Sequence, residues 1–262
     1  MIITLTTDFG LSAPFVGIMK GVILGIAPDA QLVDITHGVR SYDILEAAFI
    51  IDSAYRYFPE GTVHIVVADP GVGSGRRPIV AAVNGHTFVA PDNGVLSLVL
   101  DADTGGLNPA TFHITNDRLF LSSISQTFHG RDIFAPVGAH LARGARIDSV
   151  GPPIFDFARN PLPKPRTEAG KLIGTVLRID KFGNIITNLR RQHLGADFIL
   201  RVDGFSITRL CSNFSEAEPG KLFALEGSTG FIELALNQGS AADRLNVGPG
   251  AEIQVESGSV NQ

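Results

Sequence analysis

The chain has 262 residues, of which 44% are hydrophobic and 18% charged, and its formal net charge is −5. That length is enough for one large or two small domains with a substantial core, and the composition excludes a disordered chain. The acidic balance without a basic run argues against nucleic acid or an anionic membrane as partner; the single cysteine, Cys211, excludes an internal disulfide and CxxC metal spacings; no signal peptide or membrane-length apolar run is visible, so a cytoplasmic location is the default.

Ile2 to Leu5 reads as a short buried strand. Phe15, Val16, Met19, Val22, Ile23 and Ile26 recur at helical spacing, and Pro28 closes that helix. Gln31 to Ile35 predicts a strand. Ser41 or Asp43 then caps a helix with Ile44, Ala47, Ala48, Ile51 and Tyr55 on one face. Thr62 to Ala68 is a continuous apolar strand. Pro78 to Val83 and His86 to Ala90 flank Asn84-Gly85, a two-residue hairpin signal. Gly94 to Leu100 and Ala135 to Arg143 read as helices. Strands alternating with helices predict an α/β N-terminal domain over 1–158, with a mostly parallel sheet flanked by helices.

Asn160-Pro161-Leu162-Pro163-Lys164-Pro165 is proline-punctuated and predicts a linker over 159–168. Beyond it lie short segments separated by glycine-rich turns: Lys171 to Ile179, Phe198 to Val202, Ser206 to Leu210, Lys221 to Leu225, Phe231 to Leu236 and Ala251 to Val255. They predict a small antiparallel, β-barrel-like C-terminal domain over 169–262.

Ligands of parallel sheets bind beyond the carboxyl ends of the strands. Three polar clusters fall there: Thr6-Thr7-Asp8-Phe9-Gly10, Asp69 to Arg77, and Ser125 to Asp132. Pro91-Asp92-Asn93-Gly94 is a fourth or only a turn. Asp8-Phe9-Gly10 lacks the other motifs of a kinase, and the Gly71 to Gly75 loop lacks the ending of a phosphate-binding P-loop. Asp8, Asp69, Asp92, His129 and Asp132 also read as a metal-hydrolase set, although no local pair fixes two ligands. Each residue has a plainer reading too: Asp8 as a helix cap, Asp69 as a turn former, His129 as a hydrogen-bonded structural histidine, Phe182 and Phe214 as core.

Taken together, TTDFG…FVG..KG, DITH, YFP.GTVHI.V.DPGVGS.R, PDNG, TFHGRD.FAP, ID.FGN..TN and GS.GF.E.A.N.GSAA resemble the S-adenosyl-L-methionine hydroxide adenosyltransferases, relatives of the fluorinating and chlorinating 5′-halogenases. The resemblance runs from about Ile3 to Val255. It implies a homotrimer whose active sites lie between the N-terminal domain of one subunit and the C-terminal domain of the next. The implied reaction is displacement of methionine by water at C5′ of S-adenosyl-L-methionine, giving adenosine and L-methionine without metal or cofactor. By position, Asp69, Arg76 and His129 resemble the family's water-handling triad, and Asp8 its ribose-diol carboxylate. Tyr42 matches an aromatic against the ribose, and Thr127 lines the nucleophile side. Asp180, Phe182 and Asn184 resemble methionine-ammonium and adenine contacts, Phe214 a second adenine face, Ser228 a carboxylate contact and Asn237 an adenine-edge residue, with Asn160 also reaching the site. The halogenases carry tyrosine at the positions of Asp69 and His129, and fluorinating members a serine at Gly130. Ala13 and Thr229 replace an aspartate and an arginine of some members, which leaves the ammonium contact to Asp180. The alternatives are a 5′-halogenase and a non-catalytic adenosine- or S-adenosylmethionine-binding module.

Overall fold

A computed structural model describes residues 1–101 and 109–257. The chain divides into two compact units, Met1–Pro161 and Leu162–Gln262.

In the first unit the described elements are β1 (Ile2–Thr7), α1 (Phe15–Ile26), β2 (Gln31–Thr36), α2 (Ile44–Ala54), β3 (Val63–Val67), β4 (Pro78–Val83), β5 (His86–Pro91), α3 (Ser97–Leu100), β6 (Ala110–His113) and α4 (Ala135–Ala142). The sheet order is β2-β1-β3-β5-β4-β6. β1 runs parallel to β2 and β3, and β3 parallel to β5. β4 is antiparallel to β5 and β6, so the sheet is mixed at one edge. The cause is the Asn84-Gly85 turn: both residues have positive φ, 49° and 77°, which suits a tight hairpin between twisted strands.

The sheet is covered on both faces, which is why its strands read as unbroken apolar runs. Ile65 and Val67 of β3 join Ile3, Leu5, Met19, Ile23, Phe134 and Val137 in one core. Val66 and Ala68 point the other way, to Ala47, Ile51, Tyr55, Phe88 and Ala90. Asp43, not Ser41, caps α2 by accepting from Glu46 N. The helix predicted from Gly94 begins only at Ser97, because Gly94 has φ 91° and Asn93 Oδ1 ties down Val95 N in a turn.

The second unit contains β7 (Arg166–Glu168), β8 (Lys171–Ile179), β9 (Ile185–Thr187), β10 (Phe198–Val202), β11 (Phe205–Ile207), β12 (Leu210–Cys211), β13 (Leu222–Glu226), β14 (Ile232–Leu236), α5 (Ala241–Leu245) and β15 (Glu252–Ser257). β8 pairs with β15 through its first half and with β9 through its second, so one long strand carries both halves of a curled sheet. The segment expected as one strand over Ser206 to Leu210 is two, and β12 runs parallel to β13 in an otherwise antiparallel set of described pairs. Alternate residues Phe198, Leu200 and Val202 face the core with Ile232, Leu234 and Ile253.

Candidate active site

Asp69 follows β3 by two residues, and Arg76 lies at the far end of the same loop. Arg76 Nε donates to Asp69 Oδ1 at 2.9 Å while Nη2 bonds Asp69 Oδ2, a bidentate pair whose side chains are both buried. Nη2 also reaches His129 Nδ1 at 2.8 Å, and the guanidinium carbon lies 5.3 Å from the centre of the Phe134 ring. Asp69, Arg76 and His129, 60 residues apart in sequence, are thus brought together. A guanidinium only donates, so His129 Nδ1 accepts, and the neutral imidazole carries its proton on Nε2. Burial, aided by the Arg76 charge, lowers the His129 pKa and favours that neutral ring. Arg76 Nη1 is buried and has no hydrogen-bond partner. One charged donor of the cluster therefore remains uncommitted, at a place where an unmade hydrogen bond is costly.

The two loops that deliver these groups interlock. Gly73 has φ 78°, and a Cβ there would sit 2.3 Å from the Gln126 carbonyl oxygen. Ser125 N donates to Asp132 Oδ2 at 2.8 Å, and Arg131 Nε to Asp132 Oδ1 at 2.6 Å, so the fully buried Asp132 anchors the loop before His129. Residues Gly130–Phe134 form a π-helical turn leading into α4. Such turns are rare and concentrate at functional sites. Thr127 is exposed and its hydroxyl meets that of Ser125 at 3.0 Å.

Asp8 caps no helix. Its Oδ2 accepts from Tyr42 N at 2.9 Å, and Tyr42 holds φ 70°, unusual for a bulky residue. The Tyr42 ring is largely exposed and, with Arg40, Leu45 and Asn160, lines an open cavity of about 560 Å³. Asp92 is engaged elsewhere: Arg77 Nε binds its Oδ2 at 2.8 Å and Ala158 N its Oδ1 at 2.7 Å. Among the described residues, no group of three or more His, Cys, Asp and Glu is arranged to hold a metal ion.

In the second unit, Asp180 organises a tight turn. Its Oδ1 accepts from Phe182 N at 2.8 Å and Asn184 N at 2.9 Å, and its Oδ2 from Asn184 Nδ2 at 2.9 Å. That turn presents the exposed Phe182 ring. Phe182, Asn184 and Phe214 line a cavity of about 450 Å³ together with Leu236, Gln238 and Gly239. Asp180 and Phe182 also line a neighbouring cavity of about 560 Å³. Asn237 is not among the lining residues; its carboxamide donates to Ala217 O at 2.6 Å and serves the local fold. Ser228 is exposed on the turn closed by Gly230 N and the Gly227 carbonyl, and lines neither cavity. Phe134 and Gln126 were not singled out as site residues from sequence, and Asp132 was read only as one of a possible metal-hydrolase set, whereas it anchors the loop before His129. The first two sit inside or beside the TFHGRD.FAP motif, where the tie between a buried aromatic and a cation has no sequence signature of its own.

No helix among the described residues is long and apolar enough to cross a membrane. The family model for the SAM hydroxide adenosyltransferase N-terminal domain matches residues 3–151, and that for the C-terminal domain matches residues 174–254. The chain is 39% identical to the (R)-S-adenosyl-L-methionine hydrolase of Salinispora tropica, over 98% of both chains. It is 29% identical to a fluorinase of Nocardia brasiliensis, over 98% of this chain and 97% of that one. The crystal structure of an uncharacterized conserved protein from Thermotoga maritima superposes with a TM-score of 0.87 at 38% identity, covering 97% of this chain and 99% of the other.

Proposed function

The chain belongs to the SAM hydroxide adenosyltransferase family, and from that membership we infer that it hydrolyses S-adenosyl-L-methionine to adenosine and L-methionine. The hydrolases among its relatives are more similar to it than the fluorinases are, which favours water over halide as nucleophile.

The substrate activates its own leaving group, because the sulfonium sulfur is positive. Water attacks C5′, the C5′–S electron pair returns to sulfur as the neutral thioether of methionine, and one water proton must be accepted. We assign the handling of that water to Asp69, Arg76 and His129. The observation that carries this assignment is the buried guanidinium held by Asp69 and His129 with its Nη1 uncommitted. Nη1 donates to the water oxygen and stabilises its hydroxide character. Asp69, an acceptor-only group when ionised, takes the proton. His129 accepts from Arg76 at Nδ1 and so holds the guanidinium in place instead of acting as base. Alignment of water opposite sulfur supplies further acceleration, worth roughly 7–11 kcal/mol in favourable cases.

Each unit carries part of the substrate set. In the first, Asp8 and Tyr42 receive the ribose, Thr127 lines the nucleophile side and Asn160 borders the Tyr42 cavity. In the second, Phe182, Asn184 and Phe214 receive adenine, with Asn237 shaping its edge, and Asp180 and Ser228 meet the methionine ammonium and carboxylate. We read the units as an α/β N-terminal domain over 1–158 and a β-barrel-like domain over 169–262 beyond a linker, assembled as a cytoplasmic homotrimer that needs no metal or cofactor. Incubation with S-adenosyl-L-methionine in ¹⁸O-water tests the function. Label in the adenosine 5′-hydroxyl is expected. Absence of adenosine, or 5′-chloro-5′-deoxyadenosine formed with chloride, overturns it.

A further inference from the structure

The segment Asp34-Ile35-Thr36-His37 has no part in the chemistry above, yet it grips the turn that carries Asp8. His37 holds this turn at two points. Its backbone carbonyl accepts from Gly10 N at 2.8 Å. Its ring Nδ1 lies 2.9 Å from Thr7 Oγ1, and both side chains are buried. Thr7 Oγ1 accepts from Phe9 N at 3.2 Å, and the Asp34 carboxylate 3.0 Å from His37 Nε2 favours a ring proton there, which leaves Nδ1 to accept the Thr7 hydroxyl proton. The ring then carries its own proton on Nε2. That atom sits 3.0 Å from Asp34 Oδ1, close but too poorly aligned to count as a hydrogen bond. The other Asp34 oxygen accepts from Lys20 Nζ of α1 at 2.6 Å. A series of polar contacts thus runs from helix α1 through Asp34, His37 and Thr7 to the backbone of Phe9, next to Asp8, hydrogen-bonded at every step but the close contact between Asp34 and His37. On the opposite side the Asp8 carboxylate is fixed by Tyr42 N.

We propose that His37 is a positioning residue for nucleoside recognition: it fixes the Asp8 turn so that the carboxylate meets the ribose diol. The proposal rests on the assignment of Asp8 above. A carboxylate that accepts two hydroxyls must be held within tenths of an ångström, and both ends of its turn bond to this one residue. His37 itself does not touch the substrate.

A merely structural histidine would weaken every nucleoside alike, whereas a residue acting through Asp8 affects only ligands with a diol. Titration calorimetry with adenosine and with 2′,3′-dideoxyadenosine separates the two. The wild type is expected to favour adenosine by about tenfold or more, the worth of hydrogen bonds to a charged group. His37→Ala should lose most of that preference while binding dideoxyadenosine within about twofold of the wild type. His37→Asn, whose carbonyl can take the Thr7 proton, should recover it, and Thr7→Val should mimic His37→Ala if the latter does not fold. If Asp8→Asn abolishes the preference and His37→Ala retains it, or if His37→Ala weakens both ligands equally, the positioning role is overturned alone. If Asp8→Asn keeps the preference, the ribose assignment falls and the proposal with it.

Discussion

The Arg76 guanidinium donates to His129 Nδ1 at 2.8 Å, which commits the imidazole nitrogen that faces the cluster to an acceptor role. The roles of the two follow from this contact. His129→Asn keeps a carbonyl oxygen near the Nδ1 position and should retain turnover within about tenfold of the wild type. His129→Ala should fall further, by about 10²-fold or more. Equal loss in both variants would restore His129 as the base.

Asp69→Asn removes the proton acceptor while preserving shape. Turnover should fall by about 10²–10⁴-fold, with adenosine affinity nearly unchanged. It also leaves the Arg76 charge buried without its counterion, so thermal stability should drop measurably. Single-turnover kinetics alongside a melting curve separate the two effects.

The interlocked loops give a steric prediction. Gly73 and Gly204 share φ 78°, but a Cβ on Gly73 meets the Gln126 carbonyl at 2.3 Å whereas Gly204 has nothing within 4 Å. Gly204→Ala should cost about 1–2 kcal/mol from conformation alone. Gly73→Ala should cost more and also lower kcat, because the backbone of the Gln126 loop must move. Urea denaturation and steady-state rates measure both.

Phe182→Ala should raise the dissociation constant for adenosine by roughly 5- to 150-fold, the range of about 1–3 kcal/mol for a base on an aromatic face. Its kcat at saturation should change less if the ring serves only to hold adenine, as assigned. A larger fall in kcat than in affinity would place Phe182 elsewhere in the cycle.

Away from the site, His64 is buried against Thr4 and His86, with Nδ1 2.7 Å from Thr4 Oγ1 and Nε2 3.1 Å from His86 Nδ1. Burial pushes its pKa down from 6.5 to about 3, with the His86 charge adding to the shift. Its neutral form therefore supports the fold fully above pH 6.5, and the support is lost as pH falls from 6.5 towards 3. The expected slope is about 1.4 kcal/mol per pH unit from this group. Urea unfolding between pH 7 and 4 should show a shallower acid loss in His64→Leu than in the wild type.

Much of the fold was legible because its signals are local. Helical spacing located α1 and α2, the apolar run over β3 marked a strand covered on both faces, and Asn84-Gly85 marked a hairpin. Less legible were features set by distant partners. Gly94 looked like the start of a helix but is a left-handed turn. Ser206 to Leu210 looked like one strand, yet its two ends pair with different neighbours. Among the candidate residues, Asp69, Arg76 and His129 meet, and Phe182, Asn184 and Phe214 share a cavity, whereas Asn237 turns to the Ala217 carbonyl. No periodicity encodes which loop meets which, so only the family resemblance could join them beforehand.

The π-helical turn over Gly130–Phe134 sets a rule about chain length. In an α-helix, residues five apart point about 140° from one another. The wider turn, closed by Ala135 N on Gly130 O, lets His129 and Phe134 address the same guanidinium, one by ring edge and one by ring face. Straightening this stretch into an α-helix at its present length would separate the two contacts without touching any polar group, whereas deleting one residue would leave them four apart, about 40° around the helix and still on one face. A variant of unchanged length in which this turn is straightened into an α-helix is expected to bind the nucleoside and not turn it over.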